Sequence, residues 1–72
     1  MSMTVEVFKT NVDEVESSEI LIRKVLDHFP ESQVNFDMED CDKILRVEAR
    51  KVIPERIIEI LNAHGYTCEV LT

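Results

Sequence analysis

The chain has one glycine and two prolines in 72 residues, so no stretch of it can serve as a flexible linker. No segment approaches the run of about 20 apolar residues that spans a bilayer, so no membrane partner is expected. The N-terminal M-S-M-T-V has no basic region followed by an apolar run. No signal peptide is therefore expected, and the expected location is cytoplasmic. Cysteine is scarce: Cys41 and Cys68 form no Cys-x-x-Cys and no metal-ligand spacing. Two free thiols follow for a reducing compartment. Bases are scarce too, with 8 Lys and Arg against 15 acids and a net charge of −7. Phosphate binding needs a basic patch, and only Arg23-Lys24 and Arg50-Lys51 are adjacent pairs, so nucleic acid is not an expected partner. An acidic surface suits solubility, a basic partner or a hard cation.

What remains is an ordinary globular composition, 44% apolar, in a single domain over residues 1–72. A chain this short buries only about 60% of its unfolded surface, so modest stability is expected.

Residues 4–10, T-V-E-V-F-K-T, are rich in β-branched and aromatic types and read as a strand. Val5 and Val7 alternate with Glu6, which turns the valines inward and leaves Phe8 on the other face. A bulge near Phe8 or a partly covered outer face would reconcile the two. Asn11 tolerates a left-handed backbone, so a tight bend is expected there. A helix follows. Asp13 with Glu16 resembles a capping box, and Ser17 is a later candidate cap. Ile20, Leu21, Ile22, Val25, Leu26 and Phe29 recur every three to four residues, which predicts one broad apolar face. Pro30 ends the helix, with His28 in its last turn.

Gln33 to Met38 alternate, with Val34, Phe36 and Met38 inward, as in a strand with one wet face. Glu39-Asp40-Cys41-Asp42 reads as a hairpin turn. Ile44 to Arg50 alternate again, with Leu45, Val47 and Ala49 inward. Pro54 suits the first position of a second helix, whose stripe is Ile57, Ile58, Ile60 and Leu61. Gly65, after His64, is the expected left-handed cap. Tyr66 to Leu71 form a last strand with Tyr66, Cys68 and Val70 on one face.

Strand, helix, strand, strand, helix, strand is the α+β pattern of the ferredoxin-like fold. Two right-handed crossovers predict a four-stranded antiparallel sheet, order 4-1-3-2, with both helices on one face. That topology gathers three segments at one end of the molecule. They are the loop from Asn11 to Ser17, the turn from Glu39 to Asp42, and His64-Gly65-Tyr66. Asp13, Glu14, Glu16, Cys41 and His64 thus share that end.

The V-F-K-T-N-V approach to the first helix, the element order and the A-H-G-Y close of the second helix resemble a heavy-metal-associated domain. That is the module of copper chaperones and metal-pumping ATPases. The resemblance covers nearly the whole chain. The family's Gly-Met-x-Cys-x-x-Cys loop falls here on Asn11 for the Gly, Val12 for the buried Met, and Glu14 and Ser17 for the two Cys. Tyr66 matches the position beside that loop. Two thiolates at i and i+3 hold a soft ion such as Cu(I), and a carboxylate with a hydroxyl does not. Soft-metal transport is therefore not expected.

The acids Asp13, Glu14 and Glu16, with His64, are candidates for weak binding of a hard divalent ion. The plainer reading of the acids is helix-start electrostatics, and of His64 a cap residue favoured by the helix dipole. Cys41, in an acidic turn, reads as an incidental surface thiol of dulled reactivity. Cys68 reads as a small core residue. No catalytic residue and no cofactor is expected. An acylphosphatase shares the fold but needs an Arg-bearing phosphate loop, and this loop is acidic. Nothing places an oxyanion hole near Ser17, His64 and Asp13. The leading expectation is a non-catalytic binding or interaction module with a protein partner, monomeric or weakly dimeric. Weak divalent-metal binding is second. A small-molecule sensor of the ACT type, which shares topology and length, is third.

Overall fold

Phe8 decides which way the first strand faces. The computed structural model describes residues 2–39 and 43–71 and contains six elements. They are β1 (Thr4–Thr10), α1 (Val15–His28), β2 (Gln33–Asp37), β3 (Ile44–Ala49), α2 (Pro54–Ala63) and β4 (Cys68–Val70). Phe8 has no exposed surface and lies in the core. Its partners across the ladders are Leu45 on β3 and Val70 on β4. Strand side chains alternate, so Glu6 and Thr10 share the face of Phe8 while Val5, Val7 and Lys9 take the other. The inward placement of Val5 and Val7 is thereby corrected. Pairing of β1 with β3 runs unbroken from Thr4 to Lys9, so no bulge reconciles the two sets. Register allows only one face of β1 to be covered, and the packing of Phe8 with both helices takes it. Val5 is left 48% exposed.

The sheet is four-stranded and antiparallel in the order β2-β3-β1-β4, which from the other edge reads 4-1-3-2. Its covered face carries Phe8, Leu45 and Val47. These pack with Val12, Leu21 and Val25 from the loop and α1, and with Ile57, Ile60 and Leu61 from α2. Val34, Phe36, Met38, Tyr66, Cys68 and Val70 lie half-buried around that cluster. Ile20, expected on the α1 stripe, is 55% exposed. Leu21 and Val25 take the core-facing positions instead. On the open face Ile44 is buried between its registered neighbours Lys9 and Asp37.

The termini of α2 follow local rules. Pro54 begins it, where a missing N–H costs nothing. At its end Gly65 adopts φ 88°. Its N–H donates to the Asn62 carbonyl at 3.0 Å, and the Tyr66 N–H to the Leu61 carbonyl at 3.0 Å. This pair of bonds is a Schellman motif, which consumes carbonyls that the helix leaves open. Lys43 is the non-glycine residue with positive φ, 49°, among the described residues. Its ammonium donates to the Met38 carbonyl at 3.2 Å across the hairpin. The turn predicted at Glu39 to Asp42 lies partly outside the described residues. Among the described residues no helix is long and apolar enough to cross a membrane.

These directions give the molecule two ends. β1 and β2 finish, and β3 and β4 begin, at the end where α1 starts and α2 stops. At the other end α1 stops, α2 starts and β3 finishes.

The face assignment has a direct test. Phe8→Ala should lower unfolding free energy by about 3–5 kcal/mol, while Val5→Thr should change it by less than about 0.5 kcal/mol. Urea unfolding followed by circular dichroism measures both. A larger loss for Val5→Thr would mean the strand is turned over.

Candidate functional site

The first loop is held by Thr10. Its hydroxyl donates to the Lys43 carbonyl at 2.7 Å and accepts the Val12 N–H at 3.3 Å. The Thr10 N–H reaches the same Lys43 carbonyl at 3.2 Å. With the backbone fixed on both sides, Val12 drops into the core with no exposed surface. Asn11 does not take the left-handed bend expected of it. Its side chain acts instead, as Oδ1 accepts the Thr67 N–H at 2.8 Å and ties the loop to the start of β4.

The helix cap also differs from expectation. Glu14 is the N-cap residue, in extended conformation, and makes no side-chain capping bond. The Asp13–Glu16 capping box and the Ser17 cap are both corrected. The first turn is secured from within by Ser18, whose N–H donates to the Glu14 carbonyl at 3.0 Å. The Ser18 hydroxyl donates to the Val15 carbonyl at 2.6 Å, and the residue is buried. The Ser18 hydroxyl thus bonds back to a carbonyl of its own turn and caps none of the free N–H groups of the helix start.

Asp13, Glu14 and Glu16 are exposed, as is His64. His64 is the C-cap of α2, and its Nδ1 lies 2.8 Å from the Ile60 carbonyl. A carbonyl only accepts, so Nδ1 carries the proton in this contact. Ser17, His64 and Tyr66 come together with Ile20 and Leu21 around a small hollow of about 130 Å³. The acids do not join them. Among the described residues no three His, Cys, Asp or Glu side chains group so as to hold a metal ion. Cys41 lies outside the described residues.

This end also exposes two aliphatic residues that sequence patterning does not single out. Val15 is 62% exposed, and Ile20 stands exposed beside Glu16, Glu19, Arg23 and Lys24 along a shallow groove on α1. Neither falls on the buried stripe of Leu21 and Val25. The acids Asp13 and Glu14 before α1, Glu16 in its first turn, Asp37 at the end of β2 and Glu39 after it lie at this end.

Cys68 is a free thiol, half-buried opposite Thr10 on the covered face. Burial pushes its pKa up to about 12, and the neighbouring Glu69 carboxylate adds to the rise. A thiol held protonated is a poor nucleophile and a poor metal ligand.

No protein family matches this chain, and neither does any curated protein or solved structure.

The Cys68 environment sets a pH dependence. The raised pKa means the folded state keeps a proton that the unfolded state loses. The contribution is therefore full below about pH 9 and is lost as pH rises towards 12. In a Cys41→Ser background, Cys68→Ala should flatten part of the stability decline over that window. Thiol labelling at pH 8 should be slow until urea unfolds the chain. Fast labelling of the folded protein would show an open Cys68.

Proposed function

We propose that this chain is a non-catalytic interaction module of ferredoxin-like fold. On this reading it resembles a heavy-metal-associated domain whose thiolate ligands have been replaced. The element order, the buried Val12 and the closing A-H-G-Y support the resemblance. The proposed location is cytoplasmic.

The observation that carries the reading is exposed aliphatic surface on the first half of α1: Val15 in the first turn, flanked in sequence by Glu14 and Glu16, and Ile20 about 140° around the helix between Glu16, Glu19, Arg23 and Lys24. Exposed aliphatic groups rimmed by charge are what a docking face needs. The acids Asp13, Glu14 and Glu16 at the helix start select a basic partner segment, for which Val15 is the nearest apolar anchor and Ile20 a second one further along α1. Weak divalent binding gains no comparable support, because its candidate ligands do not converge.

Val15→Ser with Ile20→Ser should leave stability within about 1 kcal/mol of wild type, since both positions are exposed. The double variant should weaken partner binding by roughly tenfold or more. Cross-linking in cell extract, compared between wild type and variant, reads this out. A basic partner should also be released by raised salt. Capture that is indifferent to both the variant and salt would contradict the reading.

The resemblance has its own test. Glu14 and Ser17 stand at i and i+3 across the first turn, where two thiolates face one ion. Glu14→Cys with Ser17→Cys should confer Cu(I) binding that wild type lacks, measured by competition with a Cu(I) chelator. Asp13 and Glu16 should hold the new thiols' pKa values up, so affinity should climb with pH. No gain over wild type would leave a likeness of topology alone.

A further inference from the structure

The end opposite the first loop carries an open hollow of about 680 Å³ between the C-terminus of α1, the approach to β1 and the exit of β3. That volume falls in the usual range for small-molecule sites. Met3, Phe29, Pro30 and Ala49 supply apolar surface, and Arg50, Lys51 and His28 supply the polar rim with Glu31. Met3 is 46% exposed, and Ala49 is buried. The surrounding backbone is firm. Phe29 N–H donates to the Val25 carbonyl at 2.8 Å, and Ser32 bonds the Phe29 carbonyl through both its N–H and its hydroxyl. His28 Nδ1 lies 3.0 Å from the Lys24 carbonyl, so that nitrogen carries the proton and Nε2 is the ring's second polar atom.

Charge distinguishes this hollow. Arg50 and Lys51 face one carboxylate, Glu31, which leaves a single net positive charge on a chain of net −7. The groove on α1 sets Glu16 and Glu19 against Arg23 and Lys24, and a further hollow sets Lys9 against Glu69. Both of those balance. An anion therefore finds its favourable contact at this end. Glu31 in the rim opposes a second negative charge, so a dianion is disfavoured. The apolar wall calls for a ligand with a hydrocarbon body.

We propose that this hollow binds a small monocarboxylate with an apolar body. The carboxylate pairs with Arg50 and Lys51, of which the Arg can engage both oxygens in a fork. The hydrocarbon lies against Phe29, Pro30 and Ala49 with Met3 over it, and Met adapts its shape readily to such contacts. This site is separate from the docking face at the first-loop end and does not depend on it.

The test is titration of the 15N-labelled protein with hexanoate, with acetate and 1-hexanol as the headgroup-only and body-only probes. Hexanoate should give saturable shifts at residues 28–32 and 49–51, with Kd on the order of 1 mM for so small a ligand. Acetate and 1-hexanol should each bind at least about tenfold more weakly, and Arg50→Ala with Lys51→Ala should cost hexanoate about tenfold or more. Both cations are exposed, so the variant should keep a folded spectrum. Met3→Ser is the second variant and should weaken hexanoate while leaving acetate unchanged. The proposal is overturned by shifts that do not saturate, by shifts centred on Val5, Val7 and Leu71 instead, or by 1-hexanol binding as well as hexanoate. Hexanoate binding that survives both variants overturns it too, as an adventitious additive only.

Discussion

Burial of Phe8 is the constraint on which the rest of this structure depends. The side chain sits on the central strand β1, between β3 and β4, under both helices. Once it is inside, period-two alternation fixes every other residue of β1. Thr10 is then buried at the strand end, where its hydroxyl can bridge Lys43 and Val12. Lys9 falls on the open face beside Ile44 and Glu69. Val5 and Val7 are turned towards solvent, and Glu6 lies half-buried on the helix side. The geometry of the first loop is thus a consequence of one aromatic two residues before the strand ends.

The two ends of the molecule differ in charge for a topological reason. Each helix crosses from one end to the other, and so does each strand. Residues close in sequence at element junctions therefore collect at one end. The junctions at the first-loop end bring Asp13, Glu14, Glu16, Asp37 and Glu39. Those at the other end bring His28, Arg50, Lys51 and Arg56 together with Asp27, Glu31 and Glu55. A chain of net −7 thereby concentrates its negative charge at one end and leaves the other nearly balanced. The docking face proposed at one end and the carboxylate site proposed at the other both follow from this separation.

Element types were legible in the sequence because their local signals agreed with the fold. Alternation in β2 and β3, Pro54 at a helix start and Gly65 at a helix end each have one physical reading. The face of β1 was not legible, since Val5, Val7 and Phe8 compete for the core and only tertiary packing ranks them. The α1 cap was not legible either: Asp13, Glu16 and Ser17 all have groups suited to a first turn, and the helix begins after Glu14 with no side-chain cap. Asn11 was correctly a junction residue, but its side chain rather than its backbone does the joining. Of the candidate site, the shared end was legible from topology. The exposure of Val15 and Ile20 was not, because a nearly continuous apolar run from Ile20 to Ile22 hides which member faces out. The hollow near Arg50 went unseen because its lining comes from three separate segments with no common motif.

Charge separation between the two ends is the central claim, and it can be read amide by amide. The measurement is paramagnetic relaxation of the 15N-labelled protein by two soluble nitroxides of equal size, one cationic and one anionic. The account predicts that the ratio of anionic to cationic enhancement is lowest at residues 13–19 and 37–39. It should be highest, by several-fold, at residues 28–31 and 49–51. A ratio that is uniform over the surface, as a smeared net charge would give, would contradict it.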